Sequence, residues 1–222
     1  MLARIRLNAR MKQATTILFD WDGTLIDSYS ASYRASITVL KHFGIEVNRE
    51  QFLETYSPNW YDSYEKLGVP RSEWDNADQM WRRTYREQVS EPFPFVLTLL
   101  TRLREANRTL GLVTSGDRDR VHRELESHAL TDFFAVVVCF EDTEEKKPHP
   151  APLTRALREL RIEPEKAVFV GDRPEDIEMG RKVGSFTVGV ESEYGPRAIL
   201  EAAEPDLILE HAGHLPKNLG LK

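Results

Sequence analysis

Two aspartates, Asp20 and Asp22, stand two residues apart directly after an apolar, β-branched run that begins at Thr16. A run of this kind is typical of a buried parallel strand, so both carboxylates are expected in the crevice beyond its carboxyl end. An ionised carboxylate is already nucleophilic, and Asp20 could attack a phosphorus atom without a separate base. Asp22 could then protonate the leaving oxygen and later deprotonate the attacking water.

The Asp-x-Asp-Gly turn by itself is also compatible with a plain turn or with a cation loop. A calcium loop requires a further series of acidic residues, whereas Leu25 and Ile26 follow here almost at once. Gly23 relieves the tight turn and Thr24 can hydrogen-bond locally. Other segments of the chain must therefore decide between these alternatives.

A second polar segment, Thr114-Ser115-Gly116-Asp117, ends another apolar run and precedes a helix expected from about Arg118. Backbone amides and hydroxyls at the amino end of a helix form an anion site, because donors and dipole both point at the ligand. Ser and Thr also cap helices, and for this segment alone capping is the more frequent use. Thr114, Ser115 and Gly116 are candidates for binding a phosphate group.

A third segment carries Lys147 in a charged stretch whose two prolines, Pro148 and Pro150, restrict the backbone. A lysine held in this way could neutralise both Asp20 and a phosphate. The alternative is a solvated charged loop, which would be preferred without the other segments. His149 receives no role.

A fourth segment places Asp172 after a further apolar run, with Asp176 one helical turn later. Mg²⁺ prefers oxygen ligands in an octahedron, and it usually keeps several waters. Asp20, Asp172 and the backbone carbonyl of Asp22 could supply three ligands. Asp176 could bind the metal, hold a coordinated water or cap the helix. The four segments in this order are far more specific than any one of them.

The elements that position these residues follow from hydrophobic periodicity. Six apolar runs predict strands, and between them apolar residues recur along single helical faces. The alternation predicts an α/β fold, an open parallel sheet with helices on both faces. The runs are Thr16 to Phe19, Leu110 to Val113, Ala135 to Val138, Ala167 to Val170, Phe186 to Val188 and Leu207 to Leu209.

Residues 29–91 interrupt this alternation, because they show helical patterns without a convincing strand. Asn48 and Gln51 form a candidate capping box, and most Trp and Tyr residues of the chain fall in this insert. The aromatic residues suit the core of a small helical bundle better than a substrate-facing wall. We expect one core unit over 15–28 and 92–213, a helical insert over 29–91 and an N-terminal tail over 1–14.

Composition narrows the classes of function. The net charge of −6 and the lack of a basic block argue against nucleic-acid binding, and no apolar run is long enough for a membrane span. Cys139 is the sole cysteine, so a multi-cysteine metal site is excluded and a cytoplasmic location is expected. The basic start of the chain is interpreted as a tail before an internal start at Met11 rather than a targeting peptide.

Together the four segments resemble the haloacid dehalogenase superfamily of phosphohydrolases, over roughly residues 15 to 190. The resemblance implies a Rossmann-like core, a mobile helical cap, Asp20 as nucleophile, Asp22 as acid and base, Ser115 and Lys147 on the phosphate, and Asp172 on Mg²⁺. It implies hydrolysis of a small phosphorylated metabolite through an aspartyl-phosphate. We expect the protein to be a monomer or a homodimer. Asp22 argues against dehalogenation, since the dehalogenase branch lacks the second aspartate.

The insert is similar to that of the phosphoglycolate phosphatase and β-phosphoglucomutase branch, in which a cap loop helps to select substrates. That loop is expected near residues 56–60, which contain no Arg or Lys. A phosphosugar mutase is therefore the less favoured enzyme, because the mutase pattern has a basic residue there for a second phosphate. An inactive binding module on the same core is the alternative from another class.

Overall fold

The computed structural model describes residues 10–88 and 90–221. The chain divides into two compact units, one formed by the described residues up to Ile26 together with those from Pro92 onward, the other by Asp27–Glu91. Where the chain passes between the units, Ile26–Asp27 (β2) and Glu91–Pro92 (β3) form a separate two-stranded sheet.

The first unit is built on a six-stranded parallel sheet. Its strands are β1 (Thr16–Phe19), β4 (Thr109–Val113), β5 (Val136–Val138), β6 (Ala167–Gly171), β7 (Phe186–Val190) and β8 (Leu207–Leu209). The strand order is β5-β4-β1-β6-β7-β8. This confirms the predicted α/β fold, and each predicted apolar run overlaps a strand.

Helices cover both faces of this sheet because successive strand residues point to opposite sides. Ile17 and Phe19 belong to one hydrophobic cluster, whereas Leu18 belongs to another. Helices α5 (Val96–Glu105) and α6 (Arg118–Ser127) pack on the first, and α7 (Ala151–Leu160) and α8 (Pro174–Val183) on the second. The unit also contains α9 (Arg197–Ala203) and α10 (Leu215–Asn218).

The start of the described chain packs on the core. Residues 10–13 are helical, Met11 and Ala14 are buried in the first cluster, and Arg108 donates to the carbonyl of Ala14. Of the tail expected over residues 1–14, residues 1–9 lie outside the described residues. The remaining part is held by the apolar side chains of Met11 and Ala14. No helix within the described ranges is both long and apolar enough to cross a bilayer.

The second unit consists of the helices α1 (Tyr29–His42), α2 (Arg49–Thr55), α3 (Trp60–Leu67) and α4 (Trp74–Arg86). The capping box forms: Gln51 N donates to Asn48 Oδ1, and Asn48 N to Gln51 Oε1, each at 2.9 Å. Trp60, Tyr61, Trp74 and Trp81 pack against the buried cluster of the unit itself. These four aromatic side chains therefore build a local core, as the composition of the insert indicates.

Candidate active site

The parallel register brings the ends of three strands together. Phe19 on β1 lies beside Leu112 on β4 and Val170 on β6, and Asp20 N donates to Val170 O at 2.8 Å. The chain then turns at Asp20, at Thr114 and at Asp172 on the same edge of the sheet. Three of the four predicted segments are thus positioned by the sheet itself, as expected for ligand sites at strand ends.

A buried acidic cluster occupies this edge. Carboxylate oxygens of Asp20, Asp172 and Asp176 lie within 4.8 Å of one another, and all three residues are buried. Lys147 Nζ lies 2.6 Å from Asp20 Oδ1 and 2.7 Å from Asp176 Oδ1. The cluster thus contains three carboxylates and one ammonium, which leaves two negative charges in excess when all are ionised. Lys147 is therefore a buried partner of Asp20 and not a solvated loop residue.

Burial and the excess of negative charge change the pKa values of the cluster. Burial, offset in part by Lys147 and reinforced by Asp176 and Asp22, raises the pKa of Asp20 to about 7. Burial together with Asp20 and Asp176 raises the pKa of Asp172 well above its usual range. Burial alone would lower the pKa of Lys147, but Asp176 and Asp20 raise it, so the lysine stays charged.

The surroundings of Asp172 fit a divalent cation. Its Oδ2 accepts a hydrogen bond from Ser192, while its buried Oδ1 has no hydrogen-bond partner among residues 10–88 and 90–221. A buried carboxylate oxygen without a donor is costly, and an oxygen-preferring metal ion such as Mg²⁺ would supply its partner. A Cβ at Gly195 would lie 1.6 Å from the backbone oxygen of Asp172, so only glycine allows this close approach.

Both oxygens of Asp176 are engaged within the protein. Oδ2 accepts from Arg173 N at 3.1 Å, which caps the start of α8, and Oδ1 faces Lys147. The capping role expected for Asp176 is thus present, together with a contact to Lys147. Arg173, which has no role from sequence, donates to the carbonyl of Tyr194 and pairs with Glu175 Oε2 at 3.3 Å. It links the start of α8 to the loop after β7.

The segment after β4 forms a tight turn before α6. Thr114 is buried, and its Oγ1 accepts from Gly116 N at 2.9 Å, whereas Ser115 is half-buried. Asp117 caps α6 by accepting from Arg120 N at 3.2 Å. Capping is therefore carried by Asp117, which leaves Ser115 and the turn as the candidate phosphate cradle.

The carboxylate of Asp22 is held by a residue that the sequence analysis does not select. Arg120 Nη1 and Nη2 donate to the two oxygens of Asp22 at 2.9 and 2.6 Å. The contact joins residues 98 positions apart. The only local signal is that three residues share a helix face, with Asp117 three positions before Arg120 and Glu124 four positions after it.

The chain is similar in sequence to a family of known hydrolases. Residues 17–190 match the family of haloacid dehalogenase-like hydrolases. Pyrophosphatase PpaX from Bacillus mycoides is 32% identical over 202 residues, which are 90% of this chain and 94% of that protein.

Solved structures share the fold at lower identity. A predicted phosphoglycolate phosphatase from Haemophilus somnus superposes with a TM-score of 0.82 at 23% identity, over 92% of this chain and 97% of the other. CbbY from Rhodobacter sphaeroides, solved in complex with phosphate, gives 0.80 at 22% identity, over 94% and 100%.

Proposed function

Because the chain belongs to the haloacid dehalogenase-like hydrolase family, we propose that it hydrolyses a small phosphate monoester with Mg²⁺, through a phosphorylated Asp20. One observation carries this proposal: the buried Asp20 is paired with Lys147 and clustered with Asp172 and Asp176 at the sheet edge. The predicted phosphate cradle at Ser115 follows the neighbouring strand.

In the first half of the proposed reaction, the Asp20 carboxylate attacks phosphorus. An Asp20 oxygen to phosphorus bond forms while the bond from phosphorus to the leaving oxygen breaks, and Asp22 donates a proton to that oxygen. Lys147 keeps the nucleophile oriented and offsets negative charge on the transferring group. In the second half, water attacks phosphorus and Asp22 accepts the water's proton. The bond between phosphorus and the Asp20 oxygen breaks, which releases phosphate and restores the Asp20 carboxylate.

Asp20 and Asp172, with the Asp22 backbone carbonyl predicted from sequence, would hold the cation. Both Asp176 oxygens contact the protein, so Asp176 would act through a coordinated water. When bound, Mg²⁺ supplies positive charge that neutralises the carboxylates and the phosphoryl oxygens. The excess of negative charge in the cluster is the feature of this chain that such an ion would balance.

The test is a screen of the pure protein against phosphate esters, with and without Mg²⁺, by phosphate release. We expect turnover that requires Mg²⁺ and is lost in Asp20→Asn, while Asp132→Asn, which changes an exposed aspartate, keeps wild-type activity. Equal turnover by Asp20→Asn would contradict the mechanism. Inactivity across the panel would instead favour a binding module, and a requirement for a bisphosphate activator would indicate a mutase.

Inorganic pyrophosphate is the second candidate substrate. It is favoured by the relatives named pyrophosphatase, which match 90% of this chain. The same attack by Asp20 would release phosphate instead of an alcohol. Comparing kcat/KM for pyrophosphate with the values for the esters decides between the two substrates.

A further inference from the structure

We propose that Arg120 is a positioning residue that fixes the carboxylate of Asp22 for accepting the proton of the attacking water. This inference rests on the proposed function, because it assigns Asp22 the acid and base role. Its structural basis is the fork-shaped contact in which two guanidinium nitrogens meet the two carboxylate oxygens of Asp22 at 2.9 and 2.6 Å. A planar guanidinium bound in this way fixes the plane of the carboxylate as well as its place.

Arg120 is itself held in place by buried neighbours on α6. Its Nη1 also donates to Glu124 Oε2 at 3.2 Å, and its Nε lies 3.8 Å from Asp117 Oδ2. Arg120, Glu124 and Asp117 are all buried. One guanidinium thus joins three carboxylates in a site largely screened from water, where charge pairs are stronger than at the surface.

The same hydrogen-bond network includes Trp21, the residue between the two catalytic aspartates. Trp21, which lies between Asp20 and Asp22 in sequence, is fully buried and donates from Nε1 to Glu124 Oε2 at 2.8 Å. Glu124 therefore accepts from both Trp21 and Arg120. Two side chains of the turn therefore bind α6: Trp21 contacts Glu124, and Asp22 contacts Arg120.

Gly116 makes room for this arrangement. A Cβ at this position would lie 2.3 Å from Arg120 Nη2 and 2.7 Å from Val121 Cγ2. The glycine of the candidate phosphate cradle is thus also the residue that admits the guanidinium. The contact gives a physical reason, independent of phosphate binding, for glycine at this point of the turn.

The kinetic test is a double-mutant cycle with an aryl phosphate, whose good leaving group keeps slow variants measurable. We expect Arg120→Met to lower kcat about 10- to 100-fold in the wild-type background, because the aryl leaving group needs no proton and the loss falls on hydrolysis of the phosphorylated Asp20. In an Asp22→Ala background, the same change should cost less than about twofold, because Arg120 acts through Asp22. Arg118→Met is the matched control. It replaces another arginine of the same helix, a half-exposed one that pairs with Asp142, and its kcat should stay near the wild-type value.

Arg120→Lys covers the case in which the methionine variant fails to fold. It keeps a positive charge among the three carboxylates but loses the fork, so we expect a folded protein with kcat at least about threefold lower. Equal losses in both Asp22 backgrounds, or wild-type kcat in a folded Arg120→Lys protein, would overturn the proposal.

A second measurement does not depend on turnover. In protein labelled with ¹⁵N arginine, hindered rotation should give Arg120 separate Nη1 and Nη2 resonances that are lost in Asp22→Ala. Resonances unchanged by that substitution would overturn the contact even if the protein is active. If the wild type hydrolyses no phosphate compound, the proposed function fails, and the resonances alone decide whether Arg120 positions Asp22.

Discussion

Replacing Asp20 by asparagine should stabilise the metal-free protein while abolishing its proposed activity. The pKa of Asp20 rises from its ordinary 3.8 to about 7 in the folded chain. At 1.36 kcal/mol per tenfold change in proton affinity, the folded state carries a cost of roughly 4 kcal/mol above neutral pH. The variant removes that cost but deprives Lys147 of one partner, so we expect a net gain of about 2 kcal/mol.

The pH dependence fixes the sign of this effect. Between about pH 4 and pH 7 the folded chain binds a proton at Asp20 that the unfolded chain has released, so wild-type stability falls as pH rises through this window. The asparagine cannot take up that proton. The increase in the free energy of unfolding caused by Asp20→Asn should therefore be present near pH 8 and nearly absent near pH 5.

Thermal unfolding by circular dichroism in chelator is the assay. For a chain of this length, a gain of about 2 kcal/mol corresponds to a Tm increase of roughly 4–8 °C near pH 8. The exposed control Asp132→Asn should change stability by less than about 0.5 kcal/mol. A Tm decrease for Asp20→Asn near pH 8, or an equal increase at both pH values, would refute the reasoning.

Three further predictions concern the same cluster. Lys147→Met leaves Asp20 and Asp176 without their shared ammonium. Denaturant titration near pH 8 in chelator should therefore show a free energy of unfolding about 3 kcal/mol lower than that of the wild type. A decrease below about 1 kcal/mol would contradict the buried pairing. Ser192→Ala removes the hydrogen-bond donor that orients Asp172 Oδ2. Titration calorimetry should find Mg²⁺ bound about 10- to 100-fold more weakly, and an unchanged Mg²⁺ affinity would refute the orienting role of Ser192. Because protons compete for Asp20, the apparent Mg²⁺ dissociation constant should rise as pH falls below about 7, whereas a flat profile would place the cation elsewhere.

The strands and the ends that carry Asp20, Thr114 and Asp172 are predictable because period and turn chemistry are local properties of the chain. Once the sheet is known to be parallel, these ends must share one edge. Lys147 could be predicted as a site residue only from the presence of the other three segments. A charged loop has the same sequence pattern whether its lysine is buried or solvated.

The contacts of Arg120 and Ser192 were not predictable in the same way. Arg120 meets Asp22 across 98 residues, and Ser192 meets Asp172 across 20, through loops whose conformations depend on packing. The capping role of Asp117 was predictable, by contrast, because an Asp directly before a helix is a strong local signal.

The most direct test of the central claim is to trap the phosphorylated enzyme. Protein turning over its best substrate is quenched in acid, digested with pepsin and examined by mass spectrometry. We predict that one phosphoryl group is found on the peptide that contains Asp20, and that the Asp20→Asn protein carries none. A phosphoryl group on another residue would contradict the account, as would an active enzyme that never carries one under single-turnover conditions.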